Sequence, residues 1–211
     1  MSSVATTGDL TPVIRDAILS GEFVPSQRLV EADLSERYGA SRATVRLALL
    51  NLANEGLVER LPNRGARVRA ITLDEAIEIV EVRVGLEALC ARKAAEHLSD
   101  EDEAELRELR QALLDAVGGG NLVEYARLNQ ELDARIRELS GQLTATQILE
   151  RLLAQSARHQ FRLAFHPGRA QESAPEHVAI IDAILARDPD AAERATRRHL
   201  EGVIRLLRAL D

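Results

Sequence analysis

The chain has 211 residues, of which 45% are apolar and 29% are charged, and it carries a net charge of −7. This composition excludes an extended disordered protein, and the lack of any apolar run near about 20 residues excludes a membrane span. A single cysteine, Cys90, excludes an intrachain disulfide and a cysteine-based zinc site, and only two Tyr and three Phe argue against base-stacking RNA modules. Because the first ten residues lack the basic and apolar regions of a secretory signal, we predict a cytoplasmic protein.

The net charge is divided between two segments. Residues 1–70 carry nine Arg against eight acidic residues, a net of +1, and residues 71–211 carry −8. The net charge of the whole chain therefore hides a segment that is able to bind a polyanion. We predict two domains, one over residues 1–70 and one over residues 71–211.

The first domain begins with helical patterns. A helix is predicted from Thr11 or Pro12 to Gly21, followed by a turn over residues 22–26 and a short helix over residues 31–38 that ends at Gly39. Ser41 is a favourable N-cap for a third helix that runs to about Glu55. Helices joined so tightly must cross at a steep angle.

The third helix presents chemistry suited to a DNA major groove. Arg42 and Arg46 lie one turn apart, Arg can bind guanine at two points, and Ser41 and Thr44 can reach phosphate. Residues 57–61 and 66–69 predict a β-hairpin that carries Arg60, Arg64, Arg67 and Arg69. Either element alone is equally well explained as a solvated face. In this order, the two elements predict a DNA interface.

These residues carry a family resemblance. The run from Ser41 to Leu49, followed by residues 55–58 and Arg64-Gly65, resembles the winged helix-turn-helix of GntR-type bacterial transcription regulators. One position departs from that family: directly after Pro25 the family usually has Gly, whereas this chain has Ser26. The resemblance implies that DNA contacts come from Arg28, Ser41, Arg42, Thr44, Arg46, Arg64 and Gly65.

The second domain is predicted to be an all-α bundle. Helical periodicity continues from Thr72 to the end of the chain, without strand alternation and with breaks at glycine and proline. Such a bundle is long enough to enclose a ligand pocket between its helices. The predicted helices cover residues 72–98, 99–117, 122–139, 144–165, 175–187 and 191–210.

Two sets of polar residues in the bundle are candidate sites. Asn129 and Asp133 share a helix face and, with His177 and His199, would form a divalent metal site if their helices converge. By spacing alone, each His is more simply a core or surface residue.

Guanidinium groups can hold an effector carboxylate at two points. Arg83, Arg158 and Arg162 are therefore candidates for that role, with His159 beside them. Arg83 can equally pair with Glu87 at i, i+4.

The bundle also carries a resemblance. Residues 176–184 and 188–192, followed by His199-Leu200, are similar to the end of the effector domain in the FadR-like, FCD-containing branch of the GntR family. Metal-binding members of that branch place an Asp and, four residues later, a His on one helix, together with two further His. Asn129 and Asp133 depart from that pattern. The resemblance implies a Zn, Ni or Mn ion, and the departures leave open a member that has lost its metal.

Together the observations predict a bacterial DNA-binding transcription regulator. A single recognition helix offers few base contacts, so we expect a homodimer on a roughly palindromic double-stranded operator, controlled by a small organic acid. Two alternatives are a helical-bundle metalloenzyme with a DNA-binding appendage and an effector-independent DNA-binding protein. No catalytic motif is apparent, and we predict neither enzymatic activity nor a membrane partner.

Overall fold

The computed structural model describes residues 9–61 and 65–210. The chain forms two compact units. One contains the residues up to Thr72 together with Leu153–Ala157, and the other contains Leu73–Leu152 and the residues from Arg158 onward. No helix in the described ranges is long and apolar enough to cross a bilayer.

The first unit combines short helices with a small antiparallel sheet. Its described core includes Ile14, Leu34, Val45 and Leu52, all at most 3% exposed. The prediction of a winged helix-turn-helix is confirmed. In chain order the elements are α1 (Thr11–Leu19), β1 (Arg28–Leu29), α2 (Glu31–Tyr38), α3 (Arg42–Asn54), β2 (Val58–Leu61) and β3 (Gly65–Val68).

Local capping fixes the turn between α2 and α3. Gly39 ends α2 in the left-handed region, with φ of 61°. Ser41 caps α3, since its hydroxyl accepts a hydrogen bond from the backbone N–H of Thr44 at 3.1 Å. The buried stripe of Val45, Leu49 and Leu52 holds α3 against the unit's core, as its spacing predicts.

The sheet contains a strand that the sequence pattern did not indicate. The strand order is β1-β3-β2, with Leu29 of β1 opposite Ala66 of β3. Gly65 has φ of +83°, and a Cβ there would lie 2.3 Å from the Leu29 carbonyl oxygen. Only glycine therefore lets β1 approach β3 at this point. The tip of the hairpin, residues 62–64, lies outside the described residues.

Ser26 adopts a conformation that usually belongs to glycine. Its φ is 67°, in the left-handed region, and its N–H donates to the carbonyl oxygen of Val68 at 2.9 Å. The residue that departs from the family pattern therefore stands where glycine would be less strained.

All the regular secondary structure in the described residues of the second unit is helical, which confirms the predicted all-α bundle. Ser99 and Asp102 form the predicted capping box at the start of the second helix. The elements are α4 (Leu73–His97), α5 (Asp100–Gly118), α6 (Leu122–Ser140), α7 (Leu143–Ala164), α8 (Arg169–Leu185) and α9 (Pro189–Ala209).

Helix α4 is central to the bundle. It packs most extensively against α9 and α6, and its buried face includes Ala88, Ala91 and Ala94, all fully buried. Small side chains let a neighbouring helix approach closely. Leucine and isoleucine from α5, α6 and α8 fill the remaining core.

Helix α8 begins at Arg169, so the predicted start at Pro175 is wrong. Pro175 lies inside the helix. An internal proline removes one backbone hydrogen bond and costs about 3 kcal/mol. Burial of Arg169, Ala170, Ser173 and Ala174 against the bundle accompanies the additional turns. Those turns place two polar side chains, Arg169 and Ser173, beside the site described below.

Candidate functional site

The first unit has an open, basic cleft along the start of α3. It has a volume of about 560 Å³. Arg28 reaches it from β1, Arg42 and Arg46 from the first turns of α3, and Arg60 from β2. Four cations around a helix N-terminus attract phosphate. We call this region the basic cleft, defined by Arg28, Glu31, Arg42, Arg46, Arg60 and Gly65.

The polar groups at the α3 N-terminus bind each other. The Ser41 and Thr44 hydroxyls lie 2.9 Å apart, and Ser41 also accepts the Thr44 N–H. If the Thr44 hydroxyl donates, the Ser41 proton remains for a phosphate oxygen. Both side chains belong to the helix cap as well as to the predicted DNA surface.

The predicted DNA residues that the structure describes lie at the basic cleft or at the start of α3. Arg28 and Arg42 are exposed there, and Gly65 has a structural role of its own, since it admits β1. Arg64 lies outside the described residues. Arg46 is paired with Glu31, a residue that is not among the predicted DNA contacts.

The second unit contains a polar cluster inside its helical core. His177 on α8 is 2% exposed, and its ring lies 4.3 Å, centroid to centroid, from the ring of His199 on α9. Helix α6 contributes Tyr125, Asn129 and Asp133, which are spaced four residues apart and therefore share one helix face. We call the set the buried polar cluster: in it Tyr125, Ser173 and His177 are buried, and Asn129, Asp133, Glu176 and His199 are half-buried.

His177 is oriented through one ring nitrogen and has no protein partner at the other. Its Nδ1 lies 2.9 Å from the Tyr125 hydroxyl, which is 2.6 Å from the Ser173 hydroxyl. Its Nε2 is buried and has no hydrogen-bond partner. Burial, with the charges of His199 and Arg169, holds the pKa of His177 well below its usual range, so the ring is neutral. If Nδ1 carries the proton, Nε2 presents a lone pair.

His199 shows a related arrangement. Its Nδ1 lies 2.8 Å from the Glu176 carboxylate, which also accepts a hydrogen bond from Arg169 at 3.1 Å. A carboxylate that binds one ring nitrogen fixes the orientation of the ring and leaves the other nitrogen available as a ligand. Metal-binding histidines are commonly held in this way. Burial opposes ionisation of Glu176, but His199 and Arg169 prevail and lower its pKa.

Helix α6 contributes two oxygen-bearing residues. The Oδ1 atom of Asn129 is buried and has no hydrogen-bond partner. Burial, reinforced by the negative charge of Glu87, raises the pKa of Asp133 to about 6, although Arg83 opposes the shift. Two unpaired buried polar atoms on different helices, Asn129 Oδ1 and His177 Nε2, are costly in a folded protein.

The types of atom in the cluster suit a divalent ion, but their positions suit it less well. Unpaired oxygen and imidazole nitrogen atoms are ligands for Zn, Ni or Mn. Within the described ranges, however, no three His, Cys, Asp or Glu side chains are close enough together to hold one ion. An ion with three protein ligands in the cluster would therefore need the Asn129 oxygen among them.

The predicted effector arginines differ in position. Arg83 is 6% exposed, and its Nε donates to Glu87 at 2.7 Å, the alternative that the sequence left open. The charges of this ion pair act on Asp133 in opposite directions, since Glu87 raises its pKa and Arg83 lowers it. Arg158 and Arg162 are exposed on α7, and His159 is half-buried.

Sequence reasoning missed the residues that support the histidines. Tyr125 precedes Asn129 by four positions, and Ser173 precedes His177 by four. Helical spacing therefore extends both polar faces by one turn. That signal was available for Tyr125, but Ser173 was placed outside the predicted helix.

Comparisons with known proteins agree with both units. Residues 9–68 match the family model of bacterial regulatory proteins, gntR family, and residues 78–202 match the FCD domain. The HTH-type transcriptional repressor RspR of Escherichia coli (strain K12) is 25% identical over 198 residues, covering 94% of this chain and 87% of RspR. The HTH-type transcriptional repressor GlaR of the same strain is 28% identical over 195 residues, covering 89% of each chain. The structure of E. coli McbR/YncC shares the fold, with a TM-score of 0.77 at 23% identity, covering 95% of this chain and 96% of that one.

Proposed function

The chain belongs to the gntR family of bacterial regulatory proteins, in the group with an FCD domain, and from this membership we propose that it is a repressor controlled by a small carboxylate-containing effector. As a transcription regulator of that family, it carries its DNA-binding residues in the first unit. We further propose that it acts in the cytoplasm as a homodimer and without enzymatic activity.

The basic cleft supports operator binding. Arg42 and Arg46 extend from the first turns of α3, where a helix in the major groove meets base edges. In this proposal Arg42 and Arg46 read bases, while phosphates are held by Arg28, Ser41, Thr44 and the wing residues Arg64 and Gly65. Since the helical unit carries the acidic surplus, it repels the duplex and favours contact through the first unit.

The experiment for DNA binding begins with selection of preferred sites from random duplexes. Arg46→Ala should weaken binding to the selected site by about 1–3 kcal/mol if Arg46 reads a base. Arg107→Ala/Arg197→Ala is the matched control for Arg42→Ala/Arg46→Ala, because it removes two arginines whose partners, Glu103 and Glu193, are on their own helices. Unchanged binding by the Arg42/Arg46 double variant would refute the assigned face.

The single observation that carries effector binding is the pair of unpaired buried atoms, Asn129 Oδ1 and His177 Nε2. Each unsatisfied group costs about 1–3 kcal/mol, so a hydroxyl or amine donor on the effector, or a bound cation, that pairs with either acceptor relieves part of that cost. We propose that the buried polar cluster is this effector site. Arg83, Arg158, His159 and Arg162 remain proposed contacts.

We also propose that a divalent ion binds in the cluster, with Asn129, Asp133, His177 and His199 as its ligands. A bound ion would supply a Lewis-acidic anchor for a carboxylate. Elemental analysis of untagged protein purified without chelator should show stoichiometric Zn, Ni or Mn. Absence of metal, together with no thermal shift on adding these ions, would refute the ion but not the effector site.

Operator binding in the presence of candidate acids tests the regulatory function. The effector must bind the two states of the protein with different affinity in order to change DNA binding. Asp133→Ala should leave ligand-free operator affinity nearly unchanged and abolish the response to the effector. A response that persists in Asp133→Ala and His177→Phe would place the effector elsewhere.

Dimerisation follows from the limited reach of one recognition helix. Two copies on a palindromic site double the base contacts without enlarging either interface. Light scattering should give twice the chain mass of 23.2 kDa. A monomeric mass at the concentrations that saturate operator DNA would refute this part of the proposal.

A further inference from the structure

A carboxylate lies within the basic cleft. Glu31 is the first residue of α2 and borders the cleft beside Arg42, Arg46 and Arg60. A negative charge in a surface that meets phosphate costs affinity. Its presence there requires a compensating role.

Helix stabilisation does not account for the geometry of Glu31. An acidic residue in the first turn of a helix is favourable in any exposed orientation, and Asp33 occupies the same turn. Glu31, however, makes a two-point contact with a residue fifteen positions away. Its Oε1 accepts from Nε of Arg46 at 3.1 Å, and its Oε2 accepts from Nη2 at 2.8 Å.

The contact leaves a defined edge of the Arg46 guanidinium open. A guanidinium has five N–H donors in a fixed plane, and Glu31 uses one on Nε and one on Nη2. The remaining three belong to Nη1 and to the far side of Nη2. Two parallel donors at that end have the spacing that guanine O6 and N7 accept.

Burial and charge keep the pair in place. The side chain of Glu31 is 24% exposed, whereas that of Arg46 is 62% exposed. The hydrogen bonds from Arg46, aided by the positive charges of Arg60 and Arg42, lower the pKa of Glu31. The carboxylate is therefore the anchored partner, and the guanidinium extends from it into the cleft.

We propose that Glu31 is a positioning residue for DNA readout, which holds Arg46 side-on so that its free end faces a guanine. Glu31 then contributes discrimination between base sequences and opposes non-specific affinity. The inference rests on the proposed DNA-binding function. It adds a residue that does not itself contact the DNA.

The test compares three variants on the site selected by the full-length wild type, on the same site with each guanine replaced in turn, and on a scrambled duplex. Glu31→Gln removes the charge, and Glu31→Asp keeps the charge but shortens the side chain. Asp33→Asn is the matched control, because it removes a charge from the same helical turn. Fluorescence anisotropy over a range of salt concentrations gives affinity and salt slope for each duplex.

Glu31→Gln should bind the scrambled duplex more tightly and lose about tenfold of its discrimination at one guanine position. Glu31→Asp should lose discrimination at the same position without the gain on the scrambled duplex. Asp33→Asn should discriminate as the wild type does. This pattern separates positioning from a general effect of charge or folding.

Unchanged discrimination by both Glu31 variants would overturn the inference. Tighter binding of the selected site by Glu31→Gln with discrimination intact would also overturn it, because Glu31 would then only obstruct DNA. If the wild type selects no sequence, the proposed DNA-binding function itself fails.

Discussion

Replacing Asn129 with leucine should stabilise the ligand-free protein and, under the proposed function, remove the response of operator binding to the effector. The buried Oδ1 atom of Asn129 has no hydrogen-bond partner, and such a group costs about 1–3 kcal/mol. Leucine has a similar shape and no polar atom to satisfy. After an allowance of about 1 kcal/mol for the lost solvation of the half-buried amide, we expect a net gain of about 1 kcal/mol. For a protein of this size, that gain raises Tm by about 2–4 °C.

Differential scanning calorimetry of chelator-treated protein measures this effect, since the two units can unfold in separate transitions. Asn51→Leu is the matched control, because the Asn51 amide donates to the Thr11 hydroxyl at 3.1 Å. The control should lower Tm by removing a made hydrogen bond. Destabilisation of Asn129→Leu to the same extent would refute the reasoning, because Oδ1 would then be paired in solution.

Three further predictions concern pH and backbone strain. Because its pKa is raised to about 6, ionised Asp133 destabilises the fold above pH 6, and this penalty disappears as the pH falls. Asp133→Asn should therefore be more stable than the wild type in urea at pH 8 and equally stable near pH 4; a pH-independent difference would contradict this sign. Gly65→Ala should destabilise the first unit by about 2 kcal/mol or more, since φ is +83° and the new Cβ meets the Leu29 carbonyl oxygen; an unchanged urea midpoint would show that β1 yields. Ser26→Gly should stabilise the same unit by about 0.5–1 kcal/mol, because φ is 67°, and Ser26→Val should destabilise it; the same urea assay with the order reversed would count against left-handed strain at Ser26.

The sequence predicts features that depend on neighbouring residues. The turn between α2 and α3 is encoded by Gly39 and Ser41, because each acts on the backbone within a few positions. The capping box at Ser99 is local in the same way. Such signals were sufficient for the winged helix-turn-helix and for the helical character of the second unit.

Features that depend on distant partners were not predictable in this way. Strand β1 has only two residues and exists because β3 pairs with it. The Glu31–Arg46 contact joins two helices, and no spacing rule within one helix indicates it. The local preference of Pro175 predicts a helix start, but α8 begins at Arg169, because burial of the preceding turn overrides that preference.

The candidate sites show the same division. Asn129 and Asp133 lie four residues apart on α6, and the rings of His177 and His199 lie next to each other in the bundle. Which ring nitrogen is already bonded depends on Tyr125 and Glu176, and this requires the packed structure. The metal is still a prediction.

The unpaired atoms of the buried polar cluster also bear on how long the protein survives in the cell. A ligand that binds only the folded state at a hundred times its Kd adds about 2.7 kcal/mol of stability. Proteases act on transiently opened chains, so a change of this size alters steady-state abundance. If the proposed effector binds there, cells that contain it should hold more of this regulator at the same rate of synthesis, and the same cluster would set both its occupancy on DNA and its half-life.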